Sequence, residues 1–388
     1  MSSKFISDFY DSTEIISPDD NYHYFFAYYD MRATSEHSGR KHLCHRVNFM
    51  DRLPSEADVC EVGYLENKEF HLIGTTTAWN FQQGAMLEYH PTLPDTVIYN
   101  ACEGGKFKTV IHNYVSGEKS YTDRATACHS PDGKYGLAVN FGRIFAFRPG
   151  YGYAGFVDEG ADICSPDNDG VFLTDLVSGK SRLLISYSEM SLACGFEVDD
   201  KILVNHITFN CTSDRYVMLV RNFPKPGGWW STSMVIGDLN GGIKTVLSNT
   251  YVSHYHWKNG NEIVAHCTVE GLTSMFEINV DSGETKNLYL PYFDEEGNPD
   301  IHCNYSADRR YIIGDGYPHN SYRSLLAYSL ESGRSVKLFK VYGPEPQIID
   351  IRCDLHARFV YGGDTISYDT IHNGKRQIAI VSAEVLNF

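Results

Sequence analysis

Histidine recurs at equal intervals along this chain, and that period restricts the fold more than any other feature. His206, His254 and His302 lie 48 residues apart, and His356 follows after 54. Each sits in an apolar or aromatic phrase that reads as a strand: Val204-Asn205-His206-Ile207, Val252-Ser253-His254-Tyr255, Asp300-Ile301-His302-Cys303 and Asp354-Leu355-His356. Short strands and polar turns recurring every ~40 to 50 residues are the mark of propeller blades, whose equivalent positions converge on one axis. The spacing predicts four histidines facing one another around a central tunnel.

Turn phrases carry the same period. Ser130-Pro131-Asp132-Gly133, Ser213-Asp214-Arg215, Lys258-Asn259-Gly260 and Ala307-Asp308-Arg309 each precede a β-branched or aromatic run. A strand closing on a Ser-Gly hairpin turn recurs at Ser116-Gly117, Ser178-Gly179, Ser282-Gly283 and Ser332-Gly333, with Gly241-Gly242 standing in once. Together they predict an all-β chain, a single seven-bladed β-propeller over 1–388, with four-stranded antiparallel blades around a central tunnel. The units run over about 20–72, 73–123, 124–195, 196–250, 251–298, 299–348 and 349 to the end. The third is overlong because 147–170, rich in Gly, Pro, Tyr and Asp, reads as an inserted surface loop. Ile378-Ala379-Ile380-Val381 and the first residues are expected to close the ring.

A chain of 388 residues exceeds the usual single core, yet a propeller grows by adding blades. The net charge of −16 argues against nucleic acid or an anionic membrane surface as partner, and any acidic substrate needs local cations. No apolar run reaches the length of a membrane span, and the acidic first 20 residues contain no signal-peptide core. The expected location is cytoplasmic, or periplasmic if a leader has been removed. Ten scattered cysteines read as reduced, mostly buried small hydrophobes.

Four constellations can carry chemistry. Cys353-x-x-His356 with His302 and His254 supplies ligands suited to a divalent metal, zinc first, with manganese or calcium as alternatives. The plain alternative is inner-strand histidines hydrogen-bonded to neighbours, and His256 and Cys303 replace them under a one-residue register change. Arg143, at a strand end, can clamp a carboxylate or simply pair with an acid. Arg148 is read as ion-paired, while Tyr151 and Tyr153 are proton donors, sugar platforms or packing anchors. Trp79 offers a face for a sugar ring, with Asn80, Gln82 and Gln83 as amide partners for hydroxyls, unless those amides satisfy backbone groups. His206, with Asn210 nearby, is a candidate general base.

The phrases Thr77-Ala78-Trp79-Asn80-Phe81-Gln82-Gln83-Gly84, Arg148-Pro149-Gly150-Tyr151-Gly152-Tyr153, Ser253-His254-Tyr255-His256-Trp257, and Arg352-Cys353-Asp354-Leu355-His356 with Asp369 to Gln377 resemble the seven-bladed propeller polysaccharide lyases. Within that group the chain resembles the oligogalacturonate lyase and ulvan lyase families, over nearly its whole length from Tyr22-His23-Tyr24-Phe25. The resemblance implies β-elimination at a 4-linked uronic acid in an oligosaccharide: a cation neutralises the carboxylate, a base takes the C5 proton, and an acid assists the oxygen leaving C4. Arg143 matches the arginine with the neutralising role in ulvan lyases. In oligogalacturonate lyases a histidine matching His254 is the proposed base, with metal at positions matching His302 and His356.

The chain departs from these relatives. Ala127 and Cys128 stand where ulvan lyases have a catalytic tyrosine, and Phe81 follows Trp79-Asn80 where a histidine is wanted. The usual arginine-bearing segment reads Asn222-Phe223-Pro224-Lys225-Pro226-Gly227-Gly228-Trp229-Trp230. The expected function is a polysaccharide lyase for uronic-acid glycans, with Arg143 neutralising the carboxylate, His206 or His254 as base, Tyr151 or Tyr153 as acid, and Trp79, Asn80, Gln83 and Asn210 around the sugar. The rivals are a non-catalytic glycan- or protein-binding propeller, and a glycoside hydrolase drawing on Asp167, Asp169, Asp315 and Asp354.

Overall fold

A computed structural model describes residues 13–156, 158–226, 228–290, 300–344 and 346–388. The first 12 residues, which carry part of the expectation about targeting, lie outside it, as do 291–299 at the border of the fifth and sixth units. Seven four-stranded antiparallel sheets form the seven blades of a propeller. Six are built from consecutive strands, beginning with His23–Phe25, Glu88–Tyr89, Thr126–His129, Ile202–Phe209, Val252–Trp257 and His302–Tyr305. The seventh takes Arg358–Val360, Thr365–Thr370 and Gln377–Ser382, and Thr13–Ile15 adds its outermost strand, pairing Glu14 with Ile380. The chain therefore closes its own ring, as the terminal strand phrase predicts.

Each sheet buries both faces against its neighbours, which is why the strands read as nearly continuous apolar runs. Val217, Leu219, Met234 and Ile236 of blade four pack on Val252, Tyr255 and Trp257 of blade five. Each such side chain contributes about 1.5–3 kcal/mol. Polar ties join the same blades: Trp257 Nε1 donates to Thr208 Oγ1 at 3.0 Å, and the Tyr255 hydroxyl donates to Val217 O at 2.6 Å.

The strand order gives the propeller two unlike faces. Loops joining first to second strands lie on the lower face, and those joining second to third strands lie on the upper. The predicted insertion is an upper loop running from 139 to 169, and it opens on helix α1, Phe141–Phe147, capped by Asn140. Helix α2, Tyr187–Cys194, leads to blade four and begins with a Ser186–Glu189 capping box. All ten cysteines are free and seven are buried. Among the described residues, no helix is long and apolar enough to cross a membrane.

From the lower face, the 26–41 loop of blade one turns up into the tunnel. Asp369 accepts the Phe26 and Ala27 backbone N–H groups, and Arg358 donates to Ala27 O at 3.2 Å. Ala27 takes φ +70°, a conformation that costs a non-glycine residue energy and is held here by those bonds. Tyr28 and Tyr29 follow, fully buried on the axis, and block the passage from one face to the other.

Candidate functional site

The four periodic histidines meet above this plug. Ring centroids are 5.3 Å apart for His206 and His254, 4.2 Å for His254 and His302, and 4.3 Å for His302 and His356. Tyr29 lies beneath the last three at 5.8–6.2 Å, and the Tyr28 hydroxyl is 3.0 Å from His206 Nδ1. Two of the histidines owe their aim to irregular backbone. His206 is the unpaired residue of a bulge between Asn205 and Ile207, with φ +52°, and a second bulge immediately precedes His254. His356 has φ +44° and Asp300 has φ +34°, so strained positions gather around the cluster.

Each histidine has its own electrostatic setting. Burial holds His254 at about 4 against the opposing pull of Asp300, and holds His206 and His356 well below the ordinary imidazole range. His254 Nδ1 is 2.9 Å from Asp300 Oδ1. Burial alone would raise Asp300, but His254 and His266 outweigh it and keep the carboxyl ionised, so Nδ1 is the protonated nitrogen and Nε2 carries a free lone pair. For His302, burial opposes protonation and the carboxylates of Asp315, Asp354 and Asp300 outweigh it.

His302, Asp354 and His356 are a metal-capable trio, with ligand atoms all within 4.8 Å of one another. Asp354 is buried and ion-paired through Oδ2 with Arg352, while Asp315 Oδ1 stands 3.4 Å behind His302 Nδ1, the carboxylate–histidine arrangement that orients metal ligands. These residues fit a divalent cation. Cys353 is not among them, and its neighbour Asp354 takes that place. A histidine–carboxylate set without thiolate loses the softness that singled out zinc and suits manganese as well.

Cations and hydroxyls gather above. Arg352 Nε lies 2.6 Å from Asp354 Oδ2, and its Nη2 donates to the hydroxyls of Tyr151 at 3.0 Å and Tyr317 at 3.4 Å. Arg148 pairs with Asp350 at 2.7 Å, as expected, and covers the Tyr151 ring. Arg221 is buried, with Nε lacking a partner and Nη2 only 3.4 Å from two carbonyls of blade five. Tyr151 stands between Gly150 and Gly152, where a Cβ would lie 2.4 Å from Asp350 Cβ and 2.2 Å from Phe145 N respectively. Only glycine permits that approach.

Several sequence expectations are corrected. Arg143 is fully buried, and its five N–H groups are bound to Ile202, Asp158, Gly160, Ile163 and Cys164, leaving none for a substrate carboxylate. It anchors the insertion. Tyr153 is buried, stacks on Phe141 at 4.2 Å and accepts from Asn100. Trp79 packs among Phe25, Phe49 and Phe81 and donates to Asp58 O, so it offers no face to a sugar. Asn80 Oδ1 accepts the Gln82 and Gln83 N–H groups, and Gln83 is buried. Asn210 braces a lower-face turn through Asp214 and Gly260.

Solved structures recognise this architecture. The chain aligns over 97% of its length with 96% of an oligogalacturonate lyase in complex with manganese, at 11% identity and TM-score 0.66. The fold is that of the oligogalacturonate lyases. A second one, from Vibrio parahaemolyticus, aligns over 98% of this chain and 96% of its own, at 11% identity and TM-score 0.63. The propeller domain of the Trilobed protease from Pyrococcus furiosus follows at TM-score 0.50 and 12% identity, over 93% of this chain and 97% of that one. No family model and no curated protein matches the sequence. Arg143, matched in the sequence to the neutralising arginine of ulvan lyases, turns inward.

Two acids whose place in the site sequence reasoning missed share a signal. Asp-x-His occurs at Asp300–His302 and again at Asp354–His356, so the acids recur with the histidines. Arg221, Arg352 and Tyr317 carry no such mark.

Proposed function

We propose that the chain is a carbon–oxygen lyase that cleaves 4-linked uronic-acid oligosaccharides by β-elimination. The observation that carries this reading is the His254–Asp300 hydrogen bond, which leaves His254 Nε2 unprotonated beside a metal-capable trio. His254 Nε2 takes the proton from C5, the C–H electrons become the C4–C5 double bond, and the C4–O bond breaks. Tyr151 accepts its hydrogen bond from Arg352, so its own proton is free for the departing oxygen. Arg221, whose Nε lacks a partner, and Arg352 are buried cations near this cluster and would supply the positive charge that the uronate carboxylate needs, the largest electrostatic requirement of the reaction. His302, Asp354 and His356 would hold a divalent metal, manganese being the ion named for the similar lyase, and it would supply further positive charge to the carboxylate.

The hydrolase alternative requires two carboxyls at a defined separation across a pocket. Asp315 accepts from Leu355 N, Asp354 pairs with Arg352 and Arg323, Asp167 accepts from Ser188, and Asp169 accepts from Asn140. The test is a panel of uronic-acid oligosaccharides, read by the ultraviolet absorbance of the unsaturated product. Growth of that absorbance supports the reading. New reducing ends without it would refute the reading.

A further inference from the structure

The upper face carries aromatic side chains that the tunnel chemistry does not use. Tyr22, Trp229, Tyr251, Tyr322 and Tyr342 are all at least 39% exposed and lie at strand ends or in loops of that face. Trp229 is 84% exposed, whereas Trp79 and Trp257 are 1% and 5% exposed. Its neighbour Trp230, 5.7 Å away, packs edge-on against Phe147 at 5.4 Å, and Phe147 packs against Phe223 at 5.1 Å. Trp230 therefore fixes the loop to the end of helix α1, and the adjacent indole is presented to solvent from a braced backbone. Phe147 leads directly into Arg148 and Tyr151, and the Tyr151 ring is 6.1 Å from His206, so the segment that braces Trp230 also reaches the histidine cluster.

The plug decides what passes over this platform. Tyr28 and Tyr29 block the tunnel, so an oligosaccharide seated at the histidines cannot thread through and must leave across the upper rim. Against the net charge of −16, Lys201 brings a cation to this rim, its ammonium lying 4.6 Å over the Phe223 ring. The exposed indole offers an apolar face for the C–H groups of a uronate ring, and the Lys201 ammonium belongs to the same aromatic cluster through Phe223, Phe147 and Trp230.

We propose that Trp229 is the stacking platform of an outer sugar subsite, at which a distal residue of a uronic-acid oligosaccharide rests while another occupies the tunnel mouth. This rests on the uronate reading above and adds a length preference to it. The probes are 4-linked uronic-acid oligomers from the disaccharide upward, titrated calorimetrically against Trp229→Ala and Trp229→Phe in a His254→Ala background that prevents turnover. Affinity in the parent is expected to rise with length. Trp229→Ala should remove about tenfold for the longer oligomers and less than about twofold for the disaccharide, with Trp229→Phe retaining most of the gain. Loss of equal size at every length, no loss, or no gain with length in the parent would each overturn the subsite. Absorbance assays on the wild type separate the two claims. A length-dependent loss without unsaturated product leaves the subsite standing and removes the lyase, whereas product without length dependence removes the subsite alone.

Discussion

Asp300 stands two residues before His302 yet bonds the histidine of the preceding blade, His254, at 2.9 Å. One carboxylate thus links adjacent blades and fixes the tautomer of the proposed base. Asp300→Asn preserves the shape but can present an N–H to Nδ1, which moves the imidazole proton to Nε2. We expect kcat to fall by about 10² to 10⁴ with KM little changed, measured by steady-state kinetics on a uronate oligosaccharide. An unchanged kcat would remove Asp300 from the catalytic arrangement.

Asp354 gives a second test. Asp354→Asn should lower bound divalent metal per folded protein by at least about tenfold, read by elemental analysis after manganese loading and desalting. The same change leaves Arg352 and Arg323 without their carboxylate, so stability should fall by about 3–5 kcal/mol. Cys353→Ser, in contrast, should leave metal content unaltered, because Asp354 rather than the thiol belongs to the trio.

Arg143 should behave as a structural residue. Its guanidinium bonds four carbonyls and the Asp158 carboxylate with no exposure. Arg143→Ala leaves Asp158 buried and uncompensated, and denaturant unfolding should show a loss of about 3–5 kcal/mol. Full stability with lost activity would return Arg143 to the catalytic role that the family resemblance implies.

The propeller was legible in the sequence because blades repeat their turn chemistry, and the histidine period survives in the fold as a row of successive contacts. Local irregularity was not legible. His206 owes its orientation to a bulge and a positive φ that no residue in Asn205-His206-Ile207 announces. Arg143 and Trp79 look like binding residues by type, and both are spent on long-range packing, Arg143 through carbonyls up to 59 residues away. Burial at that distance leaves no local trace. Asp354 is not marked by the Cys-x-x-His spacing, which points to the thiol, whereas an irregular segment with φ +44° at His356 brings the aspartate beside that histidine.

Stability should depend on pH through histidines remote from the metal trio. His42 is fully buried, with Nδ1 at 2.7 Å from Leu43 O and Nε2 accepting from Ser367, and burial lowers it from 6.5 to about 3. Below pH 6.5 the unfolded chain takes up a proton that the folded chain refuses. The stabilisation is therefore complete above that value and declines as pH falls towards 3, by about 1.4 kcal/mol per pH unit for this one group. His42→Gln should flatten the fall of unfolding free energy between pH 6 and pH 4 by about that slope, and an unchanged slope would contradict the assignment.

The most direct measurement compares wild type and His254→Ala on one uronic-acid oligosaccharide, following ultraviolet absorbance of the unsaturated product beside calorimetric binding. Steady product formation by the wild type, and loss of at least about 10²-fold in the variant with binding retained, is the predicted result. Equal rates in the two proteins, or cleavage without the unsaturated product, would contradict β-elimination with His254 as base.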